Sequence, residues 1–208
     1  QSVPYLKAEL RPARSSDAAG SVPFRSEPTE LTPLPYYKNC FVCGCDRSQA
    51  GLRRKFYLFE TDAQVKTVIA KAGFDPVDFD SFYLFQKGGN VHPLAFMGLL
   101  DETIGWGGFM LTSTGAVTVR IGYTFHRPVA VGEKLIFYGQ GDRVRGRAES
   151  RLLSWASGGA AVVRDDGELE QVAAASGQWM AVPELTEQMR TNLIPKESVQ
   201  AAFDLADN

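Results

Sequence analysis

The sequence has little cysteine, little histidine and no excess of charge of either sign. Its three cysteines all lie between Cys40 and Cys45, which excludes the disulfide framework that staples small secreted domains. Lys and Arg number 22 against 24 Asp and Glu over 208 residues, a balance that offers no electrostatic footprint for nucleic acid or an anionic membrane. No apolar run reaches the length that spans a bilayer, and no charged-then-apolar leader follows Gln1. The expectation is therefore a cytoplasmic chain with neither membrane nor nucleic-acid partners. What remains is ordinary globular composition, 44% hydrophobic and 22% charged, on a chain long enough for one large domain with a real core.

Six of the eleven prolines fall in residues 1–36. Such a segment cannot offset its own ordering entropy, so it is either a mobile tail or an arm laid on the main domain, with Pro35-Tyr36-Tyr37 able to anchor its end. Three parts are expected: an extension over 1–38, a main domain over 39–183 and a helical tail over 184–208. Leu52–Glu60 reads as a strand, and Val65–Gly73 as a strand or a short helix. Residues 74–91 read as a long loop with a short apolar piece at 81–85. Pro93–Met110 is apolar on almost every side, the pattern of a buried helix, and Pro93 suits its first turn. In Val117–Phe125 the odd positions are all apolar, which predicts a strand with one buried face. Leu135–Gln140, Ala148–Trp155, Gly159–Arg164 and Gln171–Val182 read as further strands, Asp165-Asp166-Gly167 as a hairpin turn, and the tail from Thr186 as a helix interrupted by Pro195. A buried helix followed by successive antiparallel strands implies an α+β layer with the sheet curved around the helix.

From Gly88 to Val119 the only charged residues are Asp101 and Glu102. Carboxylates in an uncharged, buried stretch must find partners, and desolvation raises their pKa. Adjacent helical residues point about 100° apart, so the two cannot serve one site from one subunit. Either one is a general base or nucleophile facing a cleft, or both pair with arginines at a packing or subunit interface. Cys40-Phe41-Val42-Cys43-Gly44-Cys45 has no second Cys pair, and structural zinc takes four ligands. The expectation is small thiols packed in a tight turn, with no metal and no cofactor. Arg143, Arg145 and Arg147 form the densest positive charge; they are either phosphate partners or a solvated hairpin. Gly105, Gly107 and Gly108 lie inside the helix, where close packing against the sheet is the expected use.

Taken together, His92, the Asp101-Glu102 pair, Arg127-Pro128-Val129, Gly132-Glu133 and the upstream CFVCG with Gly51-Leu52 resemble the hotdog-fold thioesterase superfamily over residues 39–182. The likeness is to acyl-CoA thioesterases whose central helix opens on His-Gly-Gly. The resemblance implies a hotdog fold, a curved antiparallel sheet wrapped around a long central helix, and a homodimer or dimer of dimers acting on an acyl-CoA or acyl-carrier thioester. By position it implies that Asp101 attacks the thioester or activates water. Gln86, fifteen residues earlier, and Thr118 would hold that water, and His92 would stand beside the helix start. Glu102 is expected to be structural or to reach another part of the site. Where the family has Gly-Gly, this chain has Pro93-Leu94. Proline has no N–H for the thioester carbonyl, and losing one oxyanion donor costs about 2.7–4 kcal/mol. The N–H groups of Leu94 or Ala95 would have to substitute. A non-hydrolytic protein binding an acyl or aromatic ligand, and a dehydratase or hydratase, are the alternatives on the same scaffold.

Overall fold

The computed structural model describes residues 7–12, 22–44, 51–61, 66–73, 85–86, 89–146 and 152–208. Cys45, Arg147, most of the 81–85 piece and the start of the strand expected from Ala148 lie outside this set. The leading part of the chain supplies β1 (Lys7–Pro12), β2 (Thr32–Pro33) and β3 (Tyr36–Tyr37). β4 (Phe56–Glu60) pairs with β5 (Lys66–Gly73), and β6 (Phe85–Gln86) with β7 (Asn90–Val91), which leads into α1 (Pro93–Thr112). β8 (Ala116–Phe125), β9 (Lys134–Arg145), β10 (Leu153–Val163) and β11 (Leu169–Ala181) follow. α2 (Pro183–Asn192), β12 (Leu193–Ile194) and α3 (Lys196–Asp207) close the chain.

α1 starts where His92, in extended conformation, caps it and Pro93 supplies a preset φ; it stops at Ser113, which takes φ 51° and gives its N–H to Phe109. Its buried residues, among them Ala95, Phe96, Leu99, Leu100, Thr103, Ile104, Trp106, Phe109 and Met110, lie all around the helix. They face the sheet on one side and α3 on the other, where Phe109 meets Phe203 edge-on at 5.0 Å. The main sheet runs β1-β8-β11-β10-β9-β5-β4-β2. Neighbours are antiparallel except β1, which runs parallel to β8. α1 contacts β8, β11, β10, β9 and β5. Five strands at ~4.8 Å spacing span ~19 Å, wider than a helix of ~10–12 Å, so the sheet must curl around α1 to touch it with all five. This is the hotdog fold.

Glycine sets how deep the helix sits. A Cβ on Gly107 would lie 2.7 Å from the Gln140 carbonyl carbon, and one on Gly139 would lie 2.7 Å from the Thr103 oxygen. Backbone therefore lies on backbone where α1 crosses β9. The strands expected at Ala148–Trp155 and Gly159–Arg164 are one strand, β10. Gly158 and Gly159 are not a break: Cβ atoms there would collide with the carbonyls of Tyr138 and Ala173 on the flanking strands. Residues 66–73 are strand, and the helical tail is interrupted at Pro195 as expected, with the short β12 before it and α2 beginning at Pro183, three residues earlier than Thr186.

Residues 22–37 lie along the domain. Leu34 is in the core, its N–H bonded to Phe56 O at 3.0 Å, and Tyr36-Tyr37 pairs with β12. Phe24 sits edge-on to Phe59 and Tyr138. The Arg-Pro-Val and Gly-Glu residues form a clamp. Arg127 forks to both oxygens of Glu133 and both of Glu170 at 2.9–3.1 Å, Glu133 also accepts the Ala130 N–H at 2.7 Å, and Gly132 takes φ 96°, a conformation that favours glycine.

Two outcomes test this packing. Gly107→Ala should lower stability by about 1–3 kcal/mol through overpacking, whereas Gly122→Ala, which meets nothing within 4 Å, should leave the denaturation midpoint nearly unchanged. Hydrogen bonds from Arg127 hold Glu133 below its ordinary value and Glu170 at about 2. Depressed carboxylates contribute stability above the ordinary value of 4.5 and lose it as pH falls towards about 2. The Tm gap between wild type and Arg127→Gln, measured by circular dichroism, should therefore close across that window.

Candidate active site

Asp101 lies two turns into α1, half-buried, and accepts a hydrogen bond from Thr118 Oγ1 at 2.9 Å. Strict alternation along β8 would not allow this contact, because Ile121 and Tyr123 face the helix and Thr118 is three residues from Ile121. The register against β11 supplies the reason. Arg120 pairs with Gln178 and Thr118 with Trp179, so Val119 is an extra residue on β8. This β-bulge reverses the faces beyond it: Thr118 turns in, and Val117 and Val119 are each 40% exposed. The single buried face expected of all the odd positions thus holds only for the half of the strand beyond the bulge.

Burial raises the Asp101 pKa, and the Thr118 hydrogen bond opposes the rise. The Tyr123 phenol, raised by burial and by the nearby Asp101 charge, donates to Met97 O at 3.2 Å. Tyr123 was not singled out in the sequence; its odd position in β8 marked it only as apolar filling.

The helix start is a separate place. His92 is the N-cap, and its Nδ1 accepts the Leu94 N–H at 3.1 Å. The Ala95 N–H goes to His92 O at 3.0 Å. Both backbone donors expected to replace the lost glycine N–H are thus engaged, and a substrate carbonyl would compete with His92 for them. An Nδ1 that accepts carries no proton, which leaves Nε2 as the donor of the ring. Leu94 is 57% exposed beside it. Gln86 pairs with Asn90 in the β6–β7 hairpin just before His92; its side chain lies outside the described residues.

From Pro93 to Asp101 the helix rises ~12 Å, so one chain does not bring its helix start and its carboxylate to the same carbonyl. The arginines are placed still otherwise. Arg143 lies over the Trp155 ring at 4.5 Å and Arg145 is exposed. Both follow Gly141, which packs on Gly107 and Leu111 near the C-terminal end of α1.

Glu102 faces another element than Asp101 does, the 40–44 turn. Cys40 Sγ lies 3.5 Å from Glu102 Oε2, and Cys43 is 1% exposed. Desolvation pushes Glu102 well up, while the Cys43 thiol and two backbone N–H groups pull Cys40 well below the ordinary thiol value. The expected tight turn of packed thiols is there, but with a carboxyl that the cysteine pattern did not reveal. A cavity of about 620 Å³ is bounded by Pro23 and by residues of β8, β9, β10 and β11, and Asp101 does not line it. Among the described residues no helix is long and apolar enough to cross a membrane.

No protein-family model matches the chain, and no curated protein matches its sequence. Among solved structures it is similar to zebrafish thioesterase superfamily member 2, with 15% identity, a TM-score of 0.44, and 61% of this chain and 81% of that one covered. It is also similar to a Staphylococcus aureus acyl-CoA hydrolase in complex with butyryl coenzyme A, at 11% identity and a TM-score of 0.47, covering 56% and 65%. A Streptococcus mutans protein bound to acetyl-CoA aligns at 16% identity and a TM-score of 0.41, covering 62% and 89%.

Proposed function

We propose that this chain hydrolyses acyl thioesters of coenzyme A or an acyl carrier, as a homodimer, with Asp101 as base or nucleophile. The observation that carries the reading is the Asp101–Thr118 pair, made possible only by the extra residue in β8. A bulge that turns one hydroxyl inward onto a half-buried carboxylate, at the cost of exposing two valines, is expensive for a packing device and suited to a site. Asp101 takes a proton from water as the water attacks the thioester carbonyl, or attacks that carbon itself to give a mixed anhydride that water then opens. In either case the thiolate leaves. Thr118 holds the carboxylate by one oxygen and leaves the other for the reaction. His92 Nε2–H, at the positive end of α1, serves the oxyanion in place of the missing glycine N–H. Because the helix start and Asp101 are ~12 Å apart along one helix, His92 of one copy and Asp101 of the other form each site. Arg143 and Arg145, both exposed, would supply the guanidinium partners of the coenzyme A phosphates.

One observation favours a second reading. With Pro93 lacking an N–H and Leu94 N–H committed to His92, the pocket would bind an acyl or aromatic ligand without hydrolysing it.

Thiol release from short, long and aromatic acyl-CoAs decides between them. In a hydrolase, Asp101→Asn should lower kcat by ~10²–10⁴-fold. His92→Asn, which still caps the helix, should lower it by ~10²–10³-fold. Thr118→Val, which removes a charge-assisted hydrogen bond, should lower it by ~10–100-fold. Light scattering should give twice the chain mass. Saturable acyl-CoA binding with no thiol release from any thioester would establish the binding protein instead.

A further inference from the structure

We infer that Cys40, Cys43 and Glu102 are a binding site for a zinc-type divalent ion, distinct from the proposed thioester site. Their ligand atoms all lie within 4.8 Å of one another. With Zn–S of ~2.3 Å and Zn–O of ~2.0–2.2 Å, the sulfur–oxygen edge of a tetrahedron is ~3.5–3.7 Å, and Cys40 Sγ is 3.5 Å from Glu102 Oε2. The groups come from two distant parts of the chain, a turn and a helix, and converge on one point.

The turn is shaped for a bound thiolate. Val42 N–H and Cys43 N–H both donate to Cys40 Sγ, at 3.3 and 3.5 Å, leaving the outer side of that sulfur for another partner. Gly44 closes the turn with its N–H on Cys40 O at 2.8 Å. A side chain at Gly44 would collide with the carbonyls of Cys40 and Lys38, so the Cys-x-x-Cys-Gly spacing is a steric requirement. The turn is fixed from behind, by Leu52 N–H on Phe41 O at 2.7 Å and Arg54 N–H on Val42 O at 2.8 Å. Val42 packs against Gly98 of α1, so the turn is held on the helix that carries Glu102.

Donor chemistry selects the ion. Two sulfurs and one carboxylate suit zinc, whereas magnesium and calcium require oxygen cages. Three protein ligands leave one tetrahedral position for water. Glu102 follows Asp101 directly, so the ion would tie the 40–44 turn to α1 beside the catalytic carboxylate and fix the helix rotation there. Its role would be to position, not to take part in bond breaking.

The test uses the full chain. Zinc measured by plasma mass spectrometry after dialysis against excess zinc and then buffer should reach about one ion per chain. Cobalt(II) in its place should show a thiolate-to-cobalt charge-transfer band with the visible bands of a tetrahedral ion. Cys40→Ser should abolish the charge-transfer band or shift it strongly. Glu102→Gln should weaken zinc affinity by more than the ~10–100-fold that partners supporting a ligand from behind account for. Asp101→Asn, which removes no ligand, should keep its zinc, so failure of the thioester reading leaves this one standing. If a cysteine variant does not fold, the wild-type cobalt spectrum alone decides. A folded wild type that takes up no metal while its thiols react with Ellman's reagent or close a Cys40–Cys43 disulfide overturns the site. So does zinc binding that is unchanged in both Cys40→Ser and Glu102→Gln.

Discussion

Backbone lies against backbone where α1 crosses β9, and Gly107 and Gly139 are the residues that allow it. A helix seated that deep is surrounded, by five strands on one side and by α3 on the other. Any polar group on it must then find a partner within the protein. Thr103, Asp101 and Glu102 are among the groups in this position. Thr103 turns back onto Leu99 O, which costs no outside partner. Asp101 and Glu102 cannot do this, and each draws a different element of the chain towards it: the bulged strand for one, the 40–44 turn for the other. The depth of the helix thus precedes both sites, and each is an answer to a desolvated carboxylate.

The two answers differ in what they leave free. Thr118 satisfies one oxygen of Asp101, and burial works against ionisation while the hydroxyl supports it. Glu102 meets the 40–44 turn instead, with Cys40 Sγ 3.5 Å from its Oε2 and the buried Cys43 beside it. The clamp at Arg127 belongs to neither. Its two glutamates neutralise it over the turn between β8 and β9, and the motif that follows the central helix in the sequence pattern is a fastening.

Much of the fold was legible because the signals were periodic and local. The apolar surround of Pro93–Met110 marked a buried helix, and that helix ends within two residues of the expected place. Asp165-Asp166-Gly167 marked a hairpin, and Gly167 takes φ 83° there. What failed depended on contacts between distant residues. Gly158-Gly159 looked like punctuation because the residues that crowd them, Tyr138 and Ala173, belong to other strands. Thr118 was singled out by the resemblance alone, since its own alternation turned it away from Asp101. Glu102 was not joined to the cysteines by counting, because the count took in cysteine and histidine and no carboxylate. The Leu94 and Ala95 donors were expected to be free because the first turn of a helix leaves several N–H groups unpaired.

The extra residue at Val119 makes β8 tolerant of change at one point. Half-exposed and facing away from the core, position 119 can accept many side chains with little effect on folding. Removing the position altogether would leave Thr118 two residues from Ile121, where plain alternation turns both towards α1, and the ladder to β11 would simply become regular. What the strand does not tolerate is the loss of the bulge with the residue kept, which would turn Thr118 to solvent and leave Asp101 without its hydroxyl.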